Sequence, residues 1–398
     1  MQGLALGVVA ILALQQAGQP AFKSGVDLVA VDVHVVDKNG NPITDLRPED
    51  FEVQIAGKKR RVASAALVSY ASRAPAASPS SAAGDANTPT PDATPRPRRM
   101  FILAIDEHSL HISNALAAVN ATERFLDRLQ PDDLVGLQAY PTGSAHYDLT
   151  TDHAAVRLAV RKVMGLFQEP SSKFRLSPSE AIDIASGDRD AMMAVVKREC
   201  PSLVCNQNEI RNEAISLSGS IEMRVSQSVG GLRSLVRSVE KIPGRKLFVL
   251  VSGGLISTDR GMGRANTGAE ISQLAREAAQ ANVAIFALHL DWSFIELLSS
   301  RGGLRTSYFR DSNMAASGLE SIAGTAGGTV FRVHGTSPDV AFDRVLRETS
   351  AHYLLGIDAA SEDRDGQPRA IRVKVKRGGT QVRSRTSVVI PRAGSQPQ

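Results

Sequence analysis

Asp106, Glu107, His108 and His111 fall within six consecutive residues, and each carries a side chain that can bind a metal ion or move a proton. Carboxylates with imidazoles form the donor set that Zn²⁺ and its neighbours take. His108 and His111 could face one ion only if the segment were helical, because there residues three apart share a side. The plainer reading is a polar loop after a strand, with Asp106 capping a turn or the next helix. Short motif matches are often accidental, so the loop is expected and a metal-dependent enzyme is the alternative.

A nucleophile would have to be Ser109 or Ser252. Their contexts, Glu-His-Ser-Leu-His and Leu-Val-Ser-Gly-Gly, lack the Gly-x-Ser-x-Gly elbow. His108 is the chain neighbour of Ser109 and so is badly placed to serve as its base. No catalytic residue is predicted. Gly253-Gly254 could cradle an anion at a helix start, but it reads first as a tight turn. Cys200 and Cys205 are the only cysteines. In an exported chain a pair this close predicts a disulfide closing a small loop. Met192 and Met193 are expected to pack rather than react.

The elements that must position these groups follow from hydrophobic pattern. Residues 100–105 are continuously apolar and end at Asp106, as in a strand buried on both faces. The carboxyl end of such a strand is where open α/β sheets hold ligands. Similar runs follow at Leu134–Tyr140, Lys246–Ser252 and Val283–Leu290, with short strands expected at 146–149 and 329–333. Helix-compatible stretches at 113–129, 152–164, 221–239, 269–281, 317–326 and 338–349 separate them. Residues 99–350 therefore predict an α/β unit with a doubly wound, mostly parallel sheet and right-handed crossovers. An insertion at about 168–220 reads as irregular and polar.

Residues 24–70 and 353–390 alternate as strands do, and each segment is too small to bury a core alone. They are expected to form one small β-sandwich, with the α/β unit inserted between them. Residues 71–98 form a Pro/Ala/Ser-rich linker with too little apolar surface to order itself. Residues 4–14 are apolar but too short to span a bilayer, so residues 1–21 read as a signal peptide. That predicts a secreted or periplasmic protein with no stable membrane span. The chain has 398 residues, 46 of them Lys or Arg against 41 Asp or Glu. The basic residues are not massed into a stripe with interleaved aromatics, so nucleic acid is not an expected partner.

The order of the pieces is more telling than any one of them. DKNGNPITDLRPEDFEVQIAGK is followed by FILAIDEHS, LQPDDLVGLQAY, LTTDHAAV, RKLFVLVSGGL and HYLLGIDA, then a terminal hairpin. This resembles the bacterial, acidobacterial-type VWFA-related domain proteins over roughly residues 26–390. The resemblance implies a von Willebrand factor A fold, export and no established enzymatic activity. Proteins of that class bind other proteins, often through a metal ion at the top of the sheet.

The adhesion site of that class uses Asp-x-Ser-x-Ser, a Thr from a later loop and an Asp after the fourth strand. Asp106 matches the first position, but His108 and Leu110 stand in the places of the two Ser, and Ser109 is one residue off. Thr150 or Thr151 would supply the Thr, and Gly253 replaces the acidic residue. A hard divalent cation wants near-octahedral oxygen ligands, so this set is degenerate. No cofactor is expected beyond a weakly held divalent cation, for which Asp106 is the candidate ligand. The expected function is non-catalytic binding of an unidentified protein by Asp106, His108, Ser109, Thr150, Thr151 and Ser252 at the carboxyl edge. A structural envelope component is a further alternative.

Overall fold

Val29, Val31, Val33 and Val35 alternate with other residues along β1 (Leu28–Val36), the first strand of the computed structural model. The structure describes residues 28–70, 98–200, 206–257, 267–291, 307–334 and 337–392. β2 (Phe51–Ile55), β3 (Lys58–Arg60) and β4 (Val62–Ser69) complete the first β segment. Strands and helices then mix: β5 (Met100–Asp106), α1 (Ile112–Leu126), β6 (Leu134–Tyr140), β7 (His146–Thr150) and α2 (His153–Val160). α3 (Pro178–Ala185), α4 (Arg189–Glu199), α5 (Gln207–Val239), β8 (Lys246–Ser252), α6 (Gly268–Gln280) and β9 (Val283–Leu290) follow. α7 (Tyr308–Ala326), β10 (Thr329–Val333) and α8 (Asp339–Glu348) end this part. The second β segment holds β11 (Ala351–Asp358), β12 (Pro368–Val375), β13 (Gln381–Arg383) and β14 (Ser387–Val389).

The apolar runs build a six-stranded sheet in the order β10-β9-β8-β5-β6-β7, parallel except for the antiparallel edge strand β7. β5 shows why the runs are continuous. Phe101, Leu103 and Ile105 enter a core with α1, α2 and α8, while Ile102 and Ala104 enter a second core with α5, α6 and α7. Both faces are covered, so neither tolerates a polar side chain without a partner. The fold is thus α/β with helices on both faces.

The flanking segments pair with each other. One sheet runs β13-β1-β11-β4 and the other β14-β12-β2-β3, and each draws strands from both segments. Val31, Val33, Phe51, Ile55, Tyr353, Leu355 and Ile371 are buried in the core they share. The last residues of the chain's second β segment divide between the sheets, β13 on the first and β14 on the second. The chain changes sheet at Thr386, whose N–H donates to the Thr325 carbonyl at 3.0 Å.

The stretch at 168–220, expected to be irregular, is largely helical where it is described. Ser177 accepts from the Glu180 N–H and the Glu180 carboxylate accepts from the Ser177 N–H, a reciprocal cap that starts α3. Asp188 and Asn206 cap α4 and α5. Phe174, Leu176, Ile184, Met192, Val195 and Ile210 form a small core of their own. Met193, by contrast, is exposed. Cys200 is buried where α4 ends, and Cys205 lies outside the described residues. The signal peptide over 1–21 and the linker up to residue 97 also lie outside them. No helix of the described residues is long and apolar enough to cross a membrane.

Candidate functional site

Asp106 closes β5 at the carboxyl edge, between β6 and β8. Its carboxylate is buried and accepts two hydroxyl donors, Ser228 Oγ on Oδ1 at 3.0 Å and Ser252 Oγ on Oδ2 at 3.3 Å. Burial pushes its pKa up to about 6, and the surrounding hydroxyls oppose that rise only in part.

A second ring of contacts closes over this carboxylate. The chain leaves β5 through a single helical turn, Glu107–Ser109. That turn brings Ser109 Oγ back to donate to the Asp106 carbonyl at 2.9 Å. Ser109 Oγ also accepts from the Gly253 N–H at 2.8 Å and lies 3.1 Å from Ser252 Oγ. A Cβ on Gly253 would stand 2.0 Å from the Ser109 carbonyl oxygen, so no side chain fits there. Gly254 has φ +136°, and a Cβ on it would meet Ala315 at 2.7 Å. The Gly253 carbonyl lies 3.2 Å from His289 Nε2, a ring whose pKa is lowered chiefly by burial.

The other expected residues disperse. Glu107 is buried and turned away: it accepts from Ser144 Oγ at 2.5 Å, from the Met164 N–H at 2.9 Å and from the Thr142 hydroxyl. It thereby pins the loop after β6 and the segment after α2. His108 is partly exposed, with Nδ1 3.3 Å from Gln227 Oε1 on α5. Leu110 is buried in the core beneath α1. His111 stands against Phe167, ring centres 4.4 Å apart, and its pKa falls to about 4 through burial and then the Arg224 charge. The Asp106/Glu107/His108/His111 cluster therefore does not converge on a point. Among the described residues no three His, Cys, Asp or Glu side chains do.

Thr150 and Thr151 are at the wrong end. β7 is antiparallel, so Thr150 pairs with Val135 near the start of β6, level with Phe101 rather than Asp106. Five residues of strand separate those two levels, about 16 Å. The Thr150 hydroxyl instead accepts from the Asp152 N–H at 3.0 Å. Asp106, Ser109 and Ser252 do come together, joined by Ser228, which the sequence reading missed. Its signal was a hydroxyl on the otherwise apolar face of α5 that holds Ile221, Val225, Val229 and Leu232.

The donor set does not suit a hard divalent ion. The Asp106 oxygens are taken by hydroxyls, position 253 has no room for a carboxylate, and the Ser109 backbone packs where that side chain would project. Beside the closed network lies a cavity of about 340 Å³, walled by Ser109, Ser228, His111, Phe167, Arg224 and the Gly253–Gly254 turn. No family model matches the chain, and no curated protein matches it.

Proposed function

We propose that the chain is an exported, non-catalytic protein of the von Willebrand factor A type. It binds a protein partner through the carboxyl edge of its parallel sheet, without a metal ion. The observation that carries this reading is an apolar patch beside the edge. Gly165 packs against the start of α1, where a Cβ would lie 2.4 Å from the His111 carbonyl oxygen. The contact sets the backbone of residues 164–166 beside that of Ile112, and Ile112, Met164 and Leu166 are 78%, 57% and 39% exposed. Single exposed apolar residues are ordinary; three on adjoining backbone segments are what a surface for another protein would present. Metal independence is supported by the closed hydroxyl network over Asp106.

The test is affinity capture with the full chain from extract of its source, with and without chelator. A double variant, Ile112→Asp with Met164→Asp, checked for an unchanged melting temperature, is run beside it. The reading expects the same partner with chelator present and its loss from the double variant. Capture that chelator abolishes, or that the double variant retains, overturns it.

A further inference from the structure

We propose that the cavity beside the Asp106 network is a receptor for a monoanionic carboxylate with an apolar body, and that Arg224 holds the carboxylate. Arg224 projects from α5 into the wall of the 340 Å³ cavity. Its guanidinium carbon lies 4.5 Å from the centre of the Phe167 ring. The other side of that contact is fixed by His111, whose ring lies 4.4 Å from Phe167. Phe167 thus holds the guanidinium in place as a planar fork, the shape that takes a carboxylate on two parallel N–H bonds.

Among the described residues Arg224 has neither an ion-pair partner nor a hydrogen bond; its one opposite charge is Asp106, acting at longer range. A partly buried cation without a partner is costly, and a bound anion would remove the cost. The second cation on the wall, Arg175, is committed: its Nη2 donates to Glu199 at 2.7 Å.

The surroundings select the charge of the ligand. Asp311 lines the same cavity, accepting from the Ser179 N–H at 2.8 Å and from Ser177 Oγ at 3.2 Å. Glu169 stands at its exposed rim, and Asp106 lies behind Ser228. The single uncommitted cation can match one negative charge, and the Asp311 and Glu169 carboxyls on the same wall oppose a second, which disfavours phosphate. Leu217, Ile221 and Leu255 supply apolar wall. The volume is near the small end of ligand pockets, roughly 300–1,000 Å³, so the body should be about one ring in size. Such a carboxylate could be a free acid or the terminus of a peptide that ends in an aromatic residue. The inference does not rest on the partner-binding reading, since a free acid meets the same receptor.

Calorimetric titration of the full chain decides it, with phenylacetate, phenylacetamide, inorganic phosphate and a short Phe-terminated peptide in free and amidated forms. At least one carboxylate should bind saturably, its amide at least about tenfold more weakly, because a charge-assisted pair is lost. Phosphate should bind more weakly than that carboxylate. Arg224→Met, which keeps the packing on Phe167, should weaken the acid about tenfold or more and leave the amide unmoved. Arg224→Lys should fall between. Binding by the peptide alone identifies a partner's terminus as the source; binding by phenylacetate shows that a free acid suffices. The acid–amide comparison needs no variant and stands even if Arg224→Met fails to fold. Equal affinity for acid and amide, tighter binding of phosphate, or no saturable binding of either carboxylate would overturn the proposal.

Discussion

Replacing Asp106 by Asn should change the pH dependence of stability in one direction and over one window. The folded-state pKa is raised from 3.8 to about 6, chiefly by burial. Between about pH 4 and pH 6 the folded chain holds a proton that the unfolded chain has lost. Stability therefore falls as pH rises through that window, and the whole penalty stands above it. A shift of roughly two units at about 1.36 kcal/mol each amounts to about 3 kcal/mol. A side-chain amide at this position cannot ionise, so the Asp106→Asn variant escapes this loss. It gives up one acceptor, since Ser228 and Ser252 each donate to a separate carboxylate oxygen. That costs about 1 kcal/mol, eased because Ser252 Oγ can turn toward the Gly254 carbonyl at 3.4 Å. The variant should be no more stable than the parent at pH 4 and about 1–2 kcal/mol more stable at pH 8. Urea unfolding of both full chains at 25 °C from pH 4 to pH 8 reads this directly. The difference between the two curves cancels every other titrating group. A difference that stays flat, or that moves against the variant as pH rises, would refute the account of Asp106 as a buried carboxylate held by hydroxyls alone.

Three further outcomes test the architecture of the edge. Gly253→Asp, which places a carboxylate where an adhesion site would carry one, should destabilise the chain by about 3 kcal/mol or more. The cause is the Cβ placed 2.0 Å from the Ser109 carbonyl oxygen, and an unchanged melting temperature would refute it. Mg²⁺ or Mn²⁺ titrated into chelator-treated chain should give no saturable heat at micromolar concentration. Such a heat, abolished by Asp106→Ala, would show a working metal site. Cys200→Ser should lower stability by on the order of 2 kcal/mol, as loss of a short disulfide loop would, and labelling of two thiols in the denatured, unreduced chain would exclude the bridge.

The strands of the α/β unit were legible because the sheet is buried on both faces. Runs such as Lys246–Ser252 and Val283–Leu290 are apolar for that reason, and the expected strand at 329–333 is β10 residue for residue. The helices at 178–199 were not read because their apolar faces are short and pack mainly on a small local core of Phe174, Ile184 and Val195, with Ile182 alone in the core that covers the sheet. Their start was nonetheless written in Ser177 and Glu180. α5 was read only from 221 because Ser218 and Ser220 break the apolar pattern, although Ile210 and Ala214 carry it back to the Asn206 cap. Asp106, Ser109 and Ser252 were legible because each ends or follows a strand whose direction the crossovers fix. Thr150 was misplaced because nothing in the residues of β7 says that it runs against its neighbours.

Under the proposed A-type reading, the mismatch with an adhesion-site pattern is not confined to its ligands. Leu110, standing at a hydroxyl position, is buried in the core with Phe125 and Val160, so a Ser there would open a cavity. His108 leans out to Gln227, and the hydroxyl that would come from its position is supplied from outside the motif by Ser228 on α5. Gly253 is held by its N–H to Ser109 and by the space the Ser109 carbonyl occupies. Each mismatched position is thus held by local packing: Leu110 by α1, Gly253 by Ser109, and the Asp106 carboxylate by two serines. Restoring one ligand position disturbs a neighbour before it creates a metal site. The same closure sets Ser109 and Gly253 in the cavity wall with Arg224. On the proposed reading, the group left to bind a ligand at this edge is Arg224 in the cavity rather than Asp106 at the strand end.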